Sequence, residues 1–181
     1  MKKCVFACFM LLISLLAAAQ DAPPNPYESW GVCPFECCTY REWTADAEVP
    51  VHEKRSEQSP TLFYLRRDES FDALTGVVIT ENPAAIKVEQ AVRDGYIDGN
   101  DKPQLSLKPG DIVYMLTPLG EGAYLFWYKG KVYLAGSIEM QGNPGIDGKG
   151  MTLTWWKQVR NKAGKIGWTK SDRFRNADAC G

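Results

Sequence analysis

A single histidine, His52, stands in 181 residues. Every Cys–His or Ser–His mechanism must therefore pass through that one imidazole, and most histidine-based metal sites are excluded. Blocks of like charge are also missing. The 21 basic and 22 acidic residues are scattered, for a formal net charge of −1, so nothing resembles a nucleic-acid patch. A membrane-length apolar run is absent as well. The longest, at residues 5–16, falls short of the roughly 20 residues a spanning helix needs.

That short run has a different meaning. Lys2 and Lys3 precede it, and Ala17, Ala18 and Ala19 follow it, just before Gln20. A basic start, a short apolar middle and a small-residue exit read as a secretory signal peptide over residues 1–19. The expected location of the mature chain is outside the reducing cytosol, periplasmic or extracellular, with no integral membrane span once the signal is cleaved. Loss of Lys2 and Lys3 lowers the net charge by two, to −3. Roughly 160 residues remain, enough for one medium domain or two small ones.

Secretion recasts the cysteines. Cys33, Cys37, Cys38 and Cys180 remain, an even set in an oxidising compartment, so disulfides are expected rather than a metal site. A Cys37–Cys38 ring would be strained, which pairs Cys180 with Cys37 or Cys38.

Residues 21–26 form a proline-rich spacer, and residues 30–43, dense in cysteine and aromatic residues, read as an N-terminal cap; together residues 20–44 are leader and cap. Beyond them lie short runs rich in β-branched and aromatic residues at 49–52, 61–66, 71–80, 111–116, 123–128, 131–138, 152–160 and 165–169. Glycine-bearing turns at 128–131 and 161–164 predict hairpins. Alternation of Ile86 and Val88 with Lys87 and Glu89 predicts one more strand over 84–93, and 142–150, with four glycines, reads as a loop. The fold class is all-β.

Two segments share a pattern. Residues 65–74 and 107–116 each run leucine, base, turn pair, acid and a strand ending in leucine. A second shared unit joins Trp127, Gly130 and Lys131 with Trp156, Gly164 and Lys165. The terminal piece, Gly164-Lys165-Ile166-Gly167-Trp168-Thr169 followed by Ser171-Asp172-Arg173-Phe174, resembles the bacterial SH3-like domain, and the resemblance extends over roughly Ala45 to Phe174. It implies two small SH3-like β-barrels. One comprises residues 45–83 plus 139–175 with the other, 84–138, nested within it, two tandem barrels being the alternative; a tail at 176–181 carries Cys180.

Catalytic groups are hard to assemble from this inventory. His52, between Val51 and Glu53 and near Lys54 and Arg55, reads as a surface imidazole. Asp68-Glu69, Asp72, Glu121 and Asp147 read as turn and strand-edge carboxylates rather than a hydrolytic pair. Residues 142–150 lack the Lys-Ser/Thr ending of a phosphate loop, and 98–101 lack the closing glutamate of a calcium loop. Neither a cofactor nor a metal is expected. The aromatic residues are the stronger lead. Tyr124, Trp127, Tyr133, Trp155, Trp156 and Trp168 exceed what one strand face hides, since adjacent Trp155 and Trp156 point to opposite sides. They are the expected ligand-binding set, unless they pack internally. The resulting expectation is a non-enzymatic secreted binding module that recognises a peptide, peptidoglycan or an envelope protein. A structural subunit of an envelope complex is the alternative, and a cell-wall hydrolase a weaker one.

Overall fold

Side-chain alternation settles most of this chain into strands. The computed structural model describes residues 22–93, 105–136 and 151–180, and every regular element among them is a strand. The expected signal peptide, the 98–101 turn and the 142–150 loop lie outside the described residues.

In chain order the strands are β1 (Tyr27–Trp30), β2 (Glu42–Ala45), β3 (Val49–His52), β4 (Thr61–Leu65), β5 (Ser70–Glu81), β6 (Ala84–Lys87), β7 (Val92–Arg93), β8 (Ser106–Leu107), β9 (Ile112–Gly120), β10 (Ala123–Tyr128), β11 (Lys131–Ala135), β12 (Thr152–Arg160), β13 (Ile166–Thr169) and β14 (Phe174–Arg175). An eight-stranded sheet runs β14-β2-β5-β12-β13-β3-β4, with β1 also on β5, and curls into a half-barrel. β1 and β2 share one edge of β5: β2 pairs at Ser70 to Asp72 and β1 at Val77 to Thr80. The cysteine-bearing segment 31–41 loops out between them, so the two ends of the stretch expected as a cap are strands of the main sheet.

The chain leaves this sheet after Glu81, forms a four-stranded sheet ordered β11-β10-β9-β6, and returns at Thr152, the register partner of Glu81. The two larger sheets each have a core, and the two-stranded pair β7-β8 packs into the second. Trp43, Phe71, Leu65, Val49, Val51 and Val159 fill the first; Ile86, Val113, Met115, Phe126, Leu105 and Leu107 fill the second. A buried polar seam joins them: Ser29 Oγ and Thr117 Oγ1 share a hydrogen bond of 2.8 Å, and Thr80 Oγ1 donates to the Leu116 carbonyl at 2.7 Å.

The expected strand at 84–93 is interrupted. β6 ends at Lys87, and Val88 instead exchanges backbone hydrogen bonds with the 110–111 turn, its N–H going to the Asp111 carbonyl and its carbonyl accepting from Gly110. Strand β9 runs past the expected end at 116 to Gly120, with register shifts against β10 that absorb the extra residues. Cys37 pairs with Cys180, one of the two partners expected, and Cys33 pairs with Cys38.

Candidate functional site

The half-barrel covers its core yet leaves one side open. One side of its concave face is an open cleft of about 940 Å³, walled by Trp155 and Leu153 of β12, Val78 of β5, Pro50 and His52 of β3, and Pro34 and Phe35 of the cysteine loop. Its far rim is Thr169 and the turn Lys170-Ser171-Asp172, with Trp43 and Phe174 below and Pro118 arriving from the second sheet.

Trp155 organises the site. Its ring meets Phe35 edge-on at 6.0 Å and Trp43 at 6.0 Å, and its indole N–H donates to the Tyr40 hydroxyl at 3.0 Å. The Tyr40 hydroxyl in turn donates to the Val32 carbonyl, and its ring stacks on Trp43 at 5.8 Å. Burial pushes the Tyr40 phenol up to about 12, the bond from Trp155 opposing only part of that shift. Both rings fit because position 76 has no side chain. A Cβ on Gly76 would lie 2.1 Å from the Tyr40 hydroxyl and 2.6 Å from Trp155 Nε1.

Two residues beyond Trp155 on the same side of β12, Lys157 is wholly buried, with its ammonium 4.0 Å over the Trp155 ring. It donates to Asp172 Oδ1 at 2.6 Å and to the Lys170 carbonyl at 3.2 Å. Burial lowers the Lys157 pKa below its usual value, while the bond and charge of Asp172 act in the opposite sense. The ionisable groups lining the cleft are all engaged: Asp172 with Lys157, Glu57 with Lys170 at 2.7 Å, and His52 through Nδ1 with the Ser59 carbonyl at 3.0 Å.

His52 departs from the surface position expected of it. It is only 7 % exposed, because the 53–60 loop folds back onto it and Trp156, pointing away from Trp155, packs edge-on to its ring at 6.5 Å.

The six aromatic residues singled out in the sequence do not converge. Tyr124 and Tyr133 belong to the second core, and Trp127 lies edge-on to Tyr27 at 5.9 Å. Trp156 is buried on the other face of β12, and Trp168 meets Trp30 at 6.1 Å with the Arg55 guanidinium over both, 4.8 Å from the Trp30 ring and 5.7 Å from the Trp168 ring. Glu28 completes that second cluster, accepting from Arg55 at 2.8 Å and from the Trp30 indole at 3.0 Å. Of the six, Trp155 alone lines the cleft. Phe35, Trp43 and Phe174 join it from distant parts of the chain, and only the aromatic density of 30–43 signalled two of them.

The acidic candidates serve the scaffold. Asp68 pairs with Arg175, Asp72 with Arg160 at 2.9 Å, and Glu69 accepts from the Arg66 N–H at 2.9 Å. Glu121 meets Glu36 instead: their shared hydrogen bond and mutual repulsion raise the Glu36 carboxyl. Asp147 lies outside the described residues. Ligand atoms of Cys37, Asp178 and Cys180 lie within 4.8 Å of one another, but both sulfurs are joined in a disulfide and are not thiolate donors. Comparison with protein-family models, curated proteins and solved structures finds no match to this chain.

Proposed function

We propose that this chain is a secreted, non-catalytic binding module of the bacterial envelope, built on SH3-like barrels, whose Trp155 cleft holds a peptide or cell-wall component. The observation that carries the reading is the open aromatic cleft on the concave face of the half-barrel, with Phe35 and Trp155 at its wall. Rings of this kind offer apolar area at low entropic cost, and the polar rim of Lys170, Ser171 and Asp172 supplies orientation. Each ionisable lining group already has a partner within the protein, which favours holding over bond-breaking. Two disulfides suit an oxidising compartment, and no helix of the described residues is long and apolar enough to cross a membrane.

The test is capture of solubilised peptidoglycan fragments and envelope proteins by the mature chain. Enrichment falling at least about tenfold in Phe35→Ala and Trp155→Ala supports the reading, the loss expected when a central aromatic contact is removed. Equal recovery with these variants, or none with any form, sinks it. A constitutive assembly role draws its support from Trp30 and Tyr64, each 55 % exposed and outside the cleft; a stable oligomer burying both would favour it.

A further inference from the structure

Beneath the cleft lies a buried charge whose acidic partner among the described residues stands mostly in water. The Lys157 side chain is 0 % exposed, whereas that of Asp172, the carboxylate it bonds, is 81 % exposed and stands on the cleft rim. An ammonium removed from water must keep an anion beside it, because a buried unpaired charge is far costlier than a paired one. Nothing requires that the anion come from this chain. Lys157 donates to Asp172 and to the Lys170 carbonyl, and the rings of Trp155 and Phe174, both part of the cleft lining, lie over it at 4.0 Å and 5.9 Å. Asp172 thus marks a carboxylate position on Lys157 beside the apolar wall of Trp155 and Phe35.

We propose that the cleft receives a carboxylate-bearing ligand, such as the C-terminal end of a peptide with an apolar last residue, whose carboxylate takes the place of Asp172 on Lys157. The inference rests on the binding reading above and names the chemistry of its ligand. Exchange keeps the buried ammonium paired throughout, since one carboxylate leaves as another arrives. Because Asp172 is mostly in water, its release returns an already hydrated group to solvent, while the ligand's apolar part fills the aromatic walls. Asp172 acts as a resident competitor, and removing its charge should favour the ligand.

N-acetyl-phenylalanine and its C-terminal amide serve as matched probes, with binding followed through the indole N–H resonance of Trp155. The acid should bind about tenfold more tightly than the amide, the difference expected for one charge-assisted hydrogen bond. Asp172→Asn leaves the Lys157 ammonium with the Lys170 carbonyl alone, so it should lower the melt of the free protein, tighten the acid several-fold, and give no such gain for the amide. Lys157→Met should abolish the preference. Equal affinity for acid and amide overturns the proposal, as does weaker acid binding in Asp172→Asn or binding of neither probe. Envelope capture that needs Trp155 yet shows no acid preference would sink this inference alone; acid preference without envelope capture would sink the functional reading alone.

Discussion

The two cores of this molecule use aromatic residues in opposite ways. In the second sheet, Phe126 and Tyr133 are surrounded by Ile86, Val88, Val113, Met115 and Leu107, and the rings help close an aliphatic interior. In the first, Trp43, Phe71, Trp155 and Phe174 form a connected ring cluster whose outer member, Trp155, is left against open space. The first region is also the one tied covalently, Phe35 lying inside the Cys33–Cys38 ring and the tail fixed by Cys37–Cys180. An open apolar wall has no opposing layer to hold it. Here cross-links supply the rigidity that packing supplies in the closed core.

The contrast breaks most visibly if the cross-links are removed. Cys37→Ala with Cys180→Ala opens a bridge of sequence separation 143. It should cost about 4–5 kcal/mol by the chain-entropy argument, read as a large fall in the thermal melt. An unchanged melt would show that the first region does not depend on its bridge.

Truncating Trp43, fully buried at the centre of the ring cluster, should cost about 3–5 kcal/mol in denaturant unfolding and abolish probe binding at Trp155 together with it. Met115→Ala in the second core should cost about 2–5 kcal/mol and leave the cleft intact, which sharpens the separation of the two regions.

The seam between the sheets gives a smaller effect. Ser29→Ala strands the Thr117 hydroxyl in a buried setting, at about 1–3 kcal/mol, whereas Ser29→Ala with Thr117→Val should recover most of that loss. A double variant no better than the single one would show that the hydroxyl pair is not the link.

Acid–base behaviour provides the finest distinctions. The folded pKa of Lys157 lies below 10.5, so above the folded value the unfolded chain binds the extra proton, and stability contributed at this site rises with pH until 10.5 is passed. The rise should vanish in Lys157→Met when melts of the two proteins are compared across that alkaline window. Glu36 has the opposite sign. Its carboxyl is raised above 4.5, the folded state holds the proton longer, and the contact with Glu121 weakens as pH climbs just above that value. Glu121→Gln should flatten this small trend in melts taken through the mildly acidic range.

Much of the strand content was legible because period-two alternation is a local property. β10 and β12 occupy the spans read from the chain, 123–128 and 152–160. Where alternation continued but backbone partners changed, the reading failed. Val88 is as buried as Ile86, yet its N–H belongs to a turn rather than a ladder, so one expected strand became two. Of the aromatic residues expected to bind a ligand, Trp155 alone lies at the cleft, and the aromatic density of 30–43 signalled Phe35 and Trp43 without placing them. Phe35, Trp43, Val78 and Phe174 come from four separate stretches whose meeting depends on sheet order, which no local pattern encodes. Trp168 had the strongest local motif and turned elsewhere because Arg55 and Glu28 made a separate cluster with Trp30. His52 was misplaced for a related reason: its cover comes from Trp156 of β12, which lies beyond β13 in the sheet, and from the loop that follows it.

The pairing of Glu81 with Thr152 carries an architectural consequence. Partners across an antiparallel ladder sit about 5 Å apart, so any polypeptide whose two ends meet at that spacing can be spliced between β5 and β12 without stretching either strand. The first sheet is, in that sense, a host frame: its hydrogen-bonded ladder sets the entry and exit points, and whatever is carried between them must also meet the buried contacts at Ser29 and Thr80.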